Sequence, residues 1–123
     1  LASPMELDEN YIKGELWQPV KTWKWLWNKK PDQVLPADTL TYNITGKVLY
    51  IGTYDHQISQ IIFKGAKNTY VYDTTEVRLH MDTYLDFYEN IPVPLQGMNA
   101  DNYEIYVMYQ DGFYDTQQTF AIN

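Results

Sequence analysis

Between Leu40 and Ile51 apolar and polar residues alternate with a period of two. Leu40, Tyr42, Ile44, Val48 and Tyr50 fall in one set with Gly46, and Thr41, Asn43, Thr45 and Lys47 in the other. Successive side chains of an extended chain point to opposite sides, so this pattern predicts a strand with one buried and one wet face. The alternation returns at Glu76 to Asp82, where Val77, Leu79 and Met81 oppose Arg78, His80 and Asp82, and again at Tyr103 to Tyr109. Ile58 to Phe63 is more continuously apolar and reads as a more deeply buried strand. Shorter extended pieces are expected at Tyr11 to Trp17, Lys21 to Lys30, Thr69 to Tyr72, Tyr84 to Tyr88 and Thr116 to Ile122.

Turn signals separate these pieces. Pro31-Asp32, Pro36-Ala37-Asp38, Gly52 to His56, Gly65 to Asn68 and Asp111-Gly112 each break an extended run. Pro92 and Pro94 forbid continuous ladder pairing at their nitrogens, which puts Ile91 to Leu95 on a sheet edge or beyond a strand end. No stretch combines helix caps with a 3.6-residue period. Short strands at this spacing predict an all-β antiparallel sandwich of seven to nine strands.

Composition narrows the picture. A chain of 123 residues has room for one hydrophobic core, so residues 1 to 123 are expected to form a single domain. Twelve of its aromatic residues are tyrosine, a ring that favours a half-buried pleated surface and keeps a hydroxyl for water or a ligand. The net charge of -7 would repel a phosphate backbone and an anionic bilayer, so neither nucleic acid nor a membrane surface is an expected partner. The absence of cysteine removes disulfides, thiolate nucleophiles and cysteine-ligated metals. No apolar run approaches the ~20 residues that direct membrane insertion needs. The start, Leu1-Ala2-Ser3-Pro4-Met5, has neither a basic region nor an apolar stretch, so it does not read as a signal peptide, and localisation has to be argued indirectly.

The segment Ala100-Asp101-Asn102-Tyr103-Glu104-Ile105-Tyr106-Val107 places an acidic turn, then a tyrosine, then alternating aliphatics. This order matches the tyrosine corner that opens the penultimate strand of immunoglobulin-like sandwiches, where the phenol anchors the inter-sheet loop by a backbone hydrogen bond. Tyr103 is therefore expected to be buried with its hydroxyl on the backbone. The feature speaks for fold and carries no activity.

Tyr42-Asn43-Ile44-Thr45-Gly46, Tyr50-Ile51-Gly52, Ile58 to Phe63, Tyr70-Val71-Tyr72, Arg78, Tyr84, Phe87, the prolines at 92 and 94 and Asn102-Tyr103-Glu104-Ile105 follow one another in a familiar order. Over residues 40 to 122 the chain resembles the immunoglobulin-like accessory modules of Gram-positive bacterial cell-surface and envelope-polysaccharide proteins. The resemblance implies an extracellular or cell-surface location within a larger multidomain protein, and an adhesive, carbohydrate-binding or spacer role. It brings no catalytic residues. Leu1 to Pro36 departs from the pattern.

That departing segment holds a second candidate. Trp23, Trp25 and Trp27 are spaced by two, so in an extended chain they share one side. Three flat rings over about 13 Å could stack on more than one pyranose of a glycan. The same rings could instead fill the core while Lys21 and Lys24 face water, or cover a subunit interface.

Chemistry finds little support. Asp8, Glu9, Asp32, Asp38, Asp111 and Asp115 lie in or near expected loops, and Asp111 to Asp115 could offer oxygens to Ca²⁺, but without the ligand density of an EF-hand loop. His56 and His80 are isolated, so neither suggests a zinc site. No phosphate loop, nucleophile elbow or Ser/His/Asp order is present. The expectation is a noncatalytic module with no cofactor that recognises a glycan, host surface or cell-wall ligand. The alternative is a structural spacer or oligomerisation module with no ligand of its own.

Overall fold

A computed structural model describes residues 3–6, 33–36, 40–53, 58–74, 91–109 and 112–123, and these contain strands and no helix. In chain order the strands are β1 (Met5–Glu6), β2 (Gln33–Val34), β3 (Leu40–Thr45), β4 (Val48–Thr53), β5 (Ile58–Gly65), β6 (Thr69–Asp73), β7 (Ile91–Pro94), β8 (Asp101–Tyr109) and β9 (Gly112–Ile122). They form two sheets. A six-stranded sheet runs β1-β6-β5-β8-β9-β2 and a three-stranded sheet runs β3-β4-β7. Every pairing is antiparallel except that of β2 with β9.

One core joins the two sheets. Leu49 and Ile51 of β4 and Ile91 and Val93 of β7 pack with Ile61 and Phe63 of β5, Tyr70 and Tyr72 of β6, and Tyr103, Ile105 and Val107 of β8. Two layers of alternating strands burying their inner faces against each other make a sandwich-like all-β fold. Burial of this aliphatic and aromatic surface is the main stabilising term, at roughly 1.5–3 kcal/mol for each large side chain removed from water.

The alternation over residues 40 to 51 belongs to two strands. Thr45 pairs with Val48 across a two-residue turn, Gly46-Lys47, and the pairing continues to Leu40 opposite Thr53. Gly46 has φ 61° while Lys47 keeps a negative φ, the pattern of a type II′ hairpin turn. A two-residue turn pairs even positions of β3 with odd positions of β4. Tyr42 and Ile44 therefore share the inner face with Ile51 and Leu49, and Val48 and Tyr50 move to the outer face with Asn43 and Thr45. The expected single face from Leu40 to Tyr50 is thus divided by the turn.

β9 also begins earlier than expected. Gly112 pairs with Tyr109, so the strand extends from Gly112 rather than from Thr116. A bulge follows, in which the register passes from Tyr106 opposite Asp115 to Glu104 opposite Thr119. Gln117 takes φ 57° there, held by its N–H donating to Asp115 Oδ1 at 2.8 Å, and the Thr116 hydroxyl donates to the Ile105 carbonyl at 2.7 Å.

The expected strands at Tyr11 to Trp17, Lys21 to Lys30, Glu76 to Asp82 and Tyr84 to Tyr88 lie outside the described residues, as do His56, His80, Asp8, Glu9, Asp32, Asp38 and Asp111.

Candidate functional site: the outer face of the three-stranded sheet

The outer face of the small sheet is built of uncharged residues in cross-strand rows. One row is Asn43 of β3, Tyr50 of β4 and Pro92 of β7, and the next is Thr45, Val48 and Pro94. Directly opposed residues of an antiparallel ladder stand about 4.5–5.5 Å apart, so the side chains within a row are neighbours. Tyr50 lies on the central strand and is 38% exposed, whereas its neighbours in β4, Leu49 and Ile51, are fully buried. Asn43 and Thr45 are exposed, and the Asn43 amide donates to the Thr45 hydroxyl at 3.2 Å.

The arrangement offers a phenol ring, an amide and a hydroxyl on one sheet face. It can stack on an apolar surface and exchange hydrogen bonds with hydroxyls. Among the described residues its two rows contain no carboxylate. Among the described residues no group of three or more His, Asp or Glu side chains could hold a metal ion.

Trp23, Trp25 and Trp27 lie outside the described residues. Tyr50 and Asn43 were not singled out by periodicity, because the alternation places Tyr50 with the apolar face. The signal that could have found them is Gly46 in the middle of the run, a residue that marks a turn as readily as it continues a strand.

A second polar cluster lies at one end of the large sheet and is structural. Tyr103 is fully buried and its hydroxyl donates to the Asn99 carbonyl at 2.6 Å, while the Asn99 N–H donates to the Tyr70 hydroxyl at 3.0 Å. Two phenols therefore hold both backbone polar groups of one residue, Asn99. Their rings pack edge to face with centroids 5.9 Å apart, and Tyr103 stacks on Phe120 at 5.3 Å. Burial, reinforced by Tyr70 and the Asp101 carboxylate, raises the Tyr103 phenol far above its ordinary pKa, so it stays a neutral donor.

The neighbouring Asp101 carboxylate accepts from the backbone N–H groups of Ala66, Lys67 and Asn68, from the Asn68 amide and from the N–H of Asn102. Hydrogen bonds to the charged form, led by the one from Lys67, hold its pKa well below the usual carboxylate range. Gly65 completes this cap: a Cβ there would collide with the Asp101 carboxylate. Oδ1 of Asp101 accepts from two N–H groups and Oδ2 from three, so the carboxylate is used as a turn lock.

On the other face of β8 a third phenol, Tyr106, is also fully buried and donates to Glu104 Oε2 at 2.6 Å. Burial, and then the carboxylate beside it, raises its pKa far above the ordinary phenol value.

No family model, curated protein or solved structure matches the chain.

Proposed function

We propose that the chain is a noncatalytic binding module of immunoglobulin-like type, carried on the surface of a bacterial envelope or secreted protein, that recognises carbohydrate through the outer face of its small sheet. The observation that carries this reading is Tyr50. It is a solvent-facing ring on the central strand of an uncharged sheet face, with Asn43 on one side and Pro92 on the other. Pyranose rings present apolar faces rimmed by hydroxyls, which suits a ring flanked by an amide. The immunoglobulin-like part of the reading is supported by the bond from Tyr103 back to Asn99, four residues upstream at the entry to β8, which has the geometry of a tyrosine corner.

The test is a glycan-array screen of the chain, followed by calorimetry on the best ligand with Tyr50→Ala and Tyr50→Trp. Binding should fall at least tenfold in Tyr50→Ala and survive in Tyr50→Trp. Because stacking depends little on charge, affinity should hold between low and physiological salt. Retention of full glycan affinity by Tyr50→Ala, or no glycan bound at millimolar concentration, would overturn the reading.

A further inference from the structure

A sheet edge carries unpaired N–H and C=O groups that invite another strand, and proteins guard such edges with short strands, prolines, charges or bulges. Among the described residues the two sheets have four edges. In the large sheet β1 and β2 are two residues long each. In the small sheet β7 is guarded by proline. The hydrogen-bonded pairs of a two-residue hairpin start with the residues flanking its turn, so Thr45–Val48 and Asn43–Tyr50 are bonded pairs, and β4 bonds β7 through Leu49–Val93 and Ile51–Ile91. The outward positions of β7 are then 92 and 94. Both are proline, and that edge has no N–H to offer at either.

β3 has none of these guards. It is six residues long, pairs without a bulge along its whole length, and contains no proline and no charged residue. Its outward-facing backbone groups belong to Leu40, Tyr42 and Ile44, and each has its N–H. Asn43, Ile44 and Thr45 are exposed, Ile44 by 37%. Among the described residues β3 pairs with β4 alone.

We propose that β3 is a strand-addition surface whose occupant is β3 of a second copy of this chain, joined about a two-fold axis. Outward positions must pair with outward positions, and of the antiparallel registers this allows, the one that sets the exposed Ile44 against an aromatic ring is centred on Asn43, with Tyr42 opposite Ile44 of the second copy and Asn43 opposite itself. This register makes use of what the edge exposes: Ile44 is covered by the ring of the facing Tyr42, and the β-branched and aromatic strand meets its own sequence with no charge to oppose it. The two small sheets become one six-stranded sheet. Asn43 and Tyr50 of each copy fall in a single row, with the two Tyr50 rings about 14 Å apart at the ordinary strand spacing. The inference does not depend on the ligand reading, although it would double that platform.

Sedimentation velocity over micromolar to millimolar concentration tests it, with Ile44→Lys and Asn43→Cys alongside the parent chain. A concentration-dependent dimer is expected. Because each copy carries a net charge of -7, the dimer should tighten as salt is raised, whereas pairing with a basic partner would weaken. Ile44→Lys should abolish it with circular dichroism and melting unchanged. Asn43→Cys, the only cysteine in its chain, should give a disulfide-linked dimer under mild oxidation. A parent chain that stays monomeric at millimolar concentration overturns the proposal. So does a dimer that Ile44→Lys leaves intact, or one in which folded Asn43→Cys fails to cross-link.

Discussion

The two sheets draw on the same residue types and treat water differently. In the large sheet β5 reads Ile61-Ile62-Phe63 with all three side chains fully buried, although Ile62 points away from the core that takes the other two. Val71, Tyr106 and Phe113 share the face of Ile62 and are buried as well, with Tyr106 and Phe113 stacked at 6.1 Å. In the small sheet β4 alternates from Leu49 to Ile51, with Leu49 and Ile51 inside and Tyr50 out. A strand shielded on both faces loses alternation and gains continuous apolar sequence, while a half-wet strand keeps it. Among the described residues the small sheet thus turns an aromatic ring, Tyr50, toward water, whereas the large sheet keeps Ile62, Val71 and Tyr106 out of it.

Substitutions can break or sharpen this contrast, beginning with Ile62. If its face is buried in solution as the core face is, Ile62→Ala should cost about 2–5 kcal/mol in denaturant unfolding. A loss under about 0.5 kcal/mol, ordinary for surface sites, would show that the large sheet is wet on that side and remove the contrast.

Tyr103→Phe keeps the ring stack and deletes the bond to Asn99. It should lower stability by about 0.5–1.5 kcal/mol, the usual net worth of a hydrogen bond. An unchanged unfolding midpoint would reduce the tyrosine corner to simple packing.

Asp101 ties the β5–β6 turn to the start of β8, and its effect is a matter of pH. Its folded pKa lies below the ordinary 3.8, so its stabilisation is complete above that value and is lost as pH falls through and below it. Asp101→Asn should therefore make the acid limb of the melting-temperature curve below about pH 4 shallower than in the parent chain. Parallel acid limbs would mean that the carboxylate is equally well held in the unfolded chain.

The smallest effect is expected at Tyr50. Tyr50→Ala should stay within about 0.5 kcal/mol of the parent, since a ring exposed on an outer sheet face adds little to the core. A large loss of stability would show that the ring is structural and would take the support from the binding platform.

The all-β class was legible because extended periodicity and turn residues act locally. Tyr103 was legible for the same reason: the turn, the ring and its acceptor Asn99 lie within five consecutive residues, so the motif is visible without knowing the fold. The prolines of β7 announced an edge because a missing N–H is a property of the residue itself. Other features were settled by tertiary structure. Alternation states that a strand has two faces but not which one meets water, and the Gly46-Lys47 turn exchanged the faces of Val48 and Tyr50. The second phenol on the Asn99 backbone comes from Tyr70, 29 residues away, and the five-donor cap on Asp101 is drawn largely from residues 33 to 35 positions earlier. Burial of Ile62 on the face away from the core depends on what lies over a sheet, which no period within a strand encodes. Local rules of pleat, turn and proline chemistry act through neighbours in sequence, whereas exposure and long-range hydrogen bonds exist only once distant strands have been brought into register.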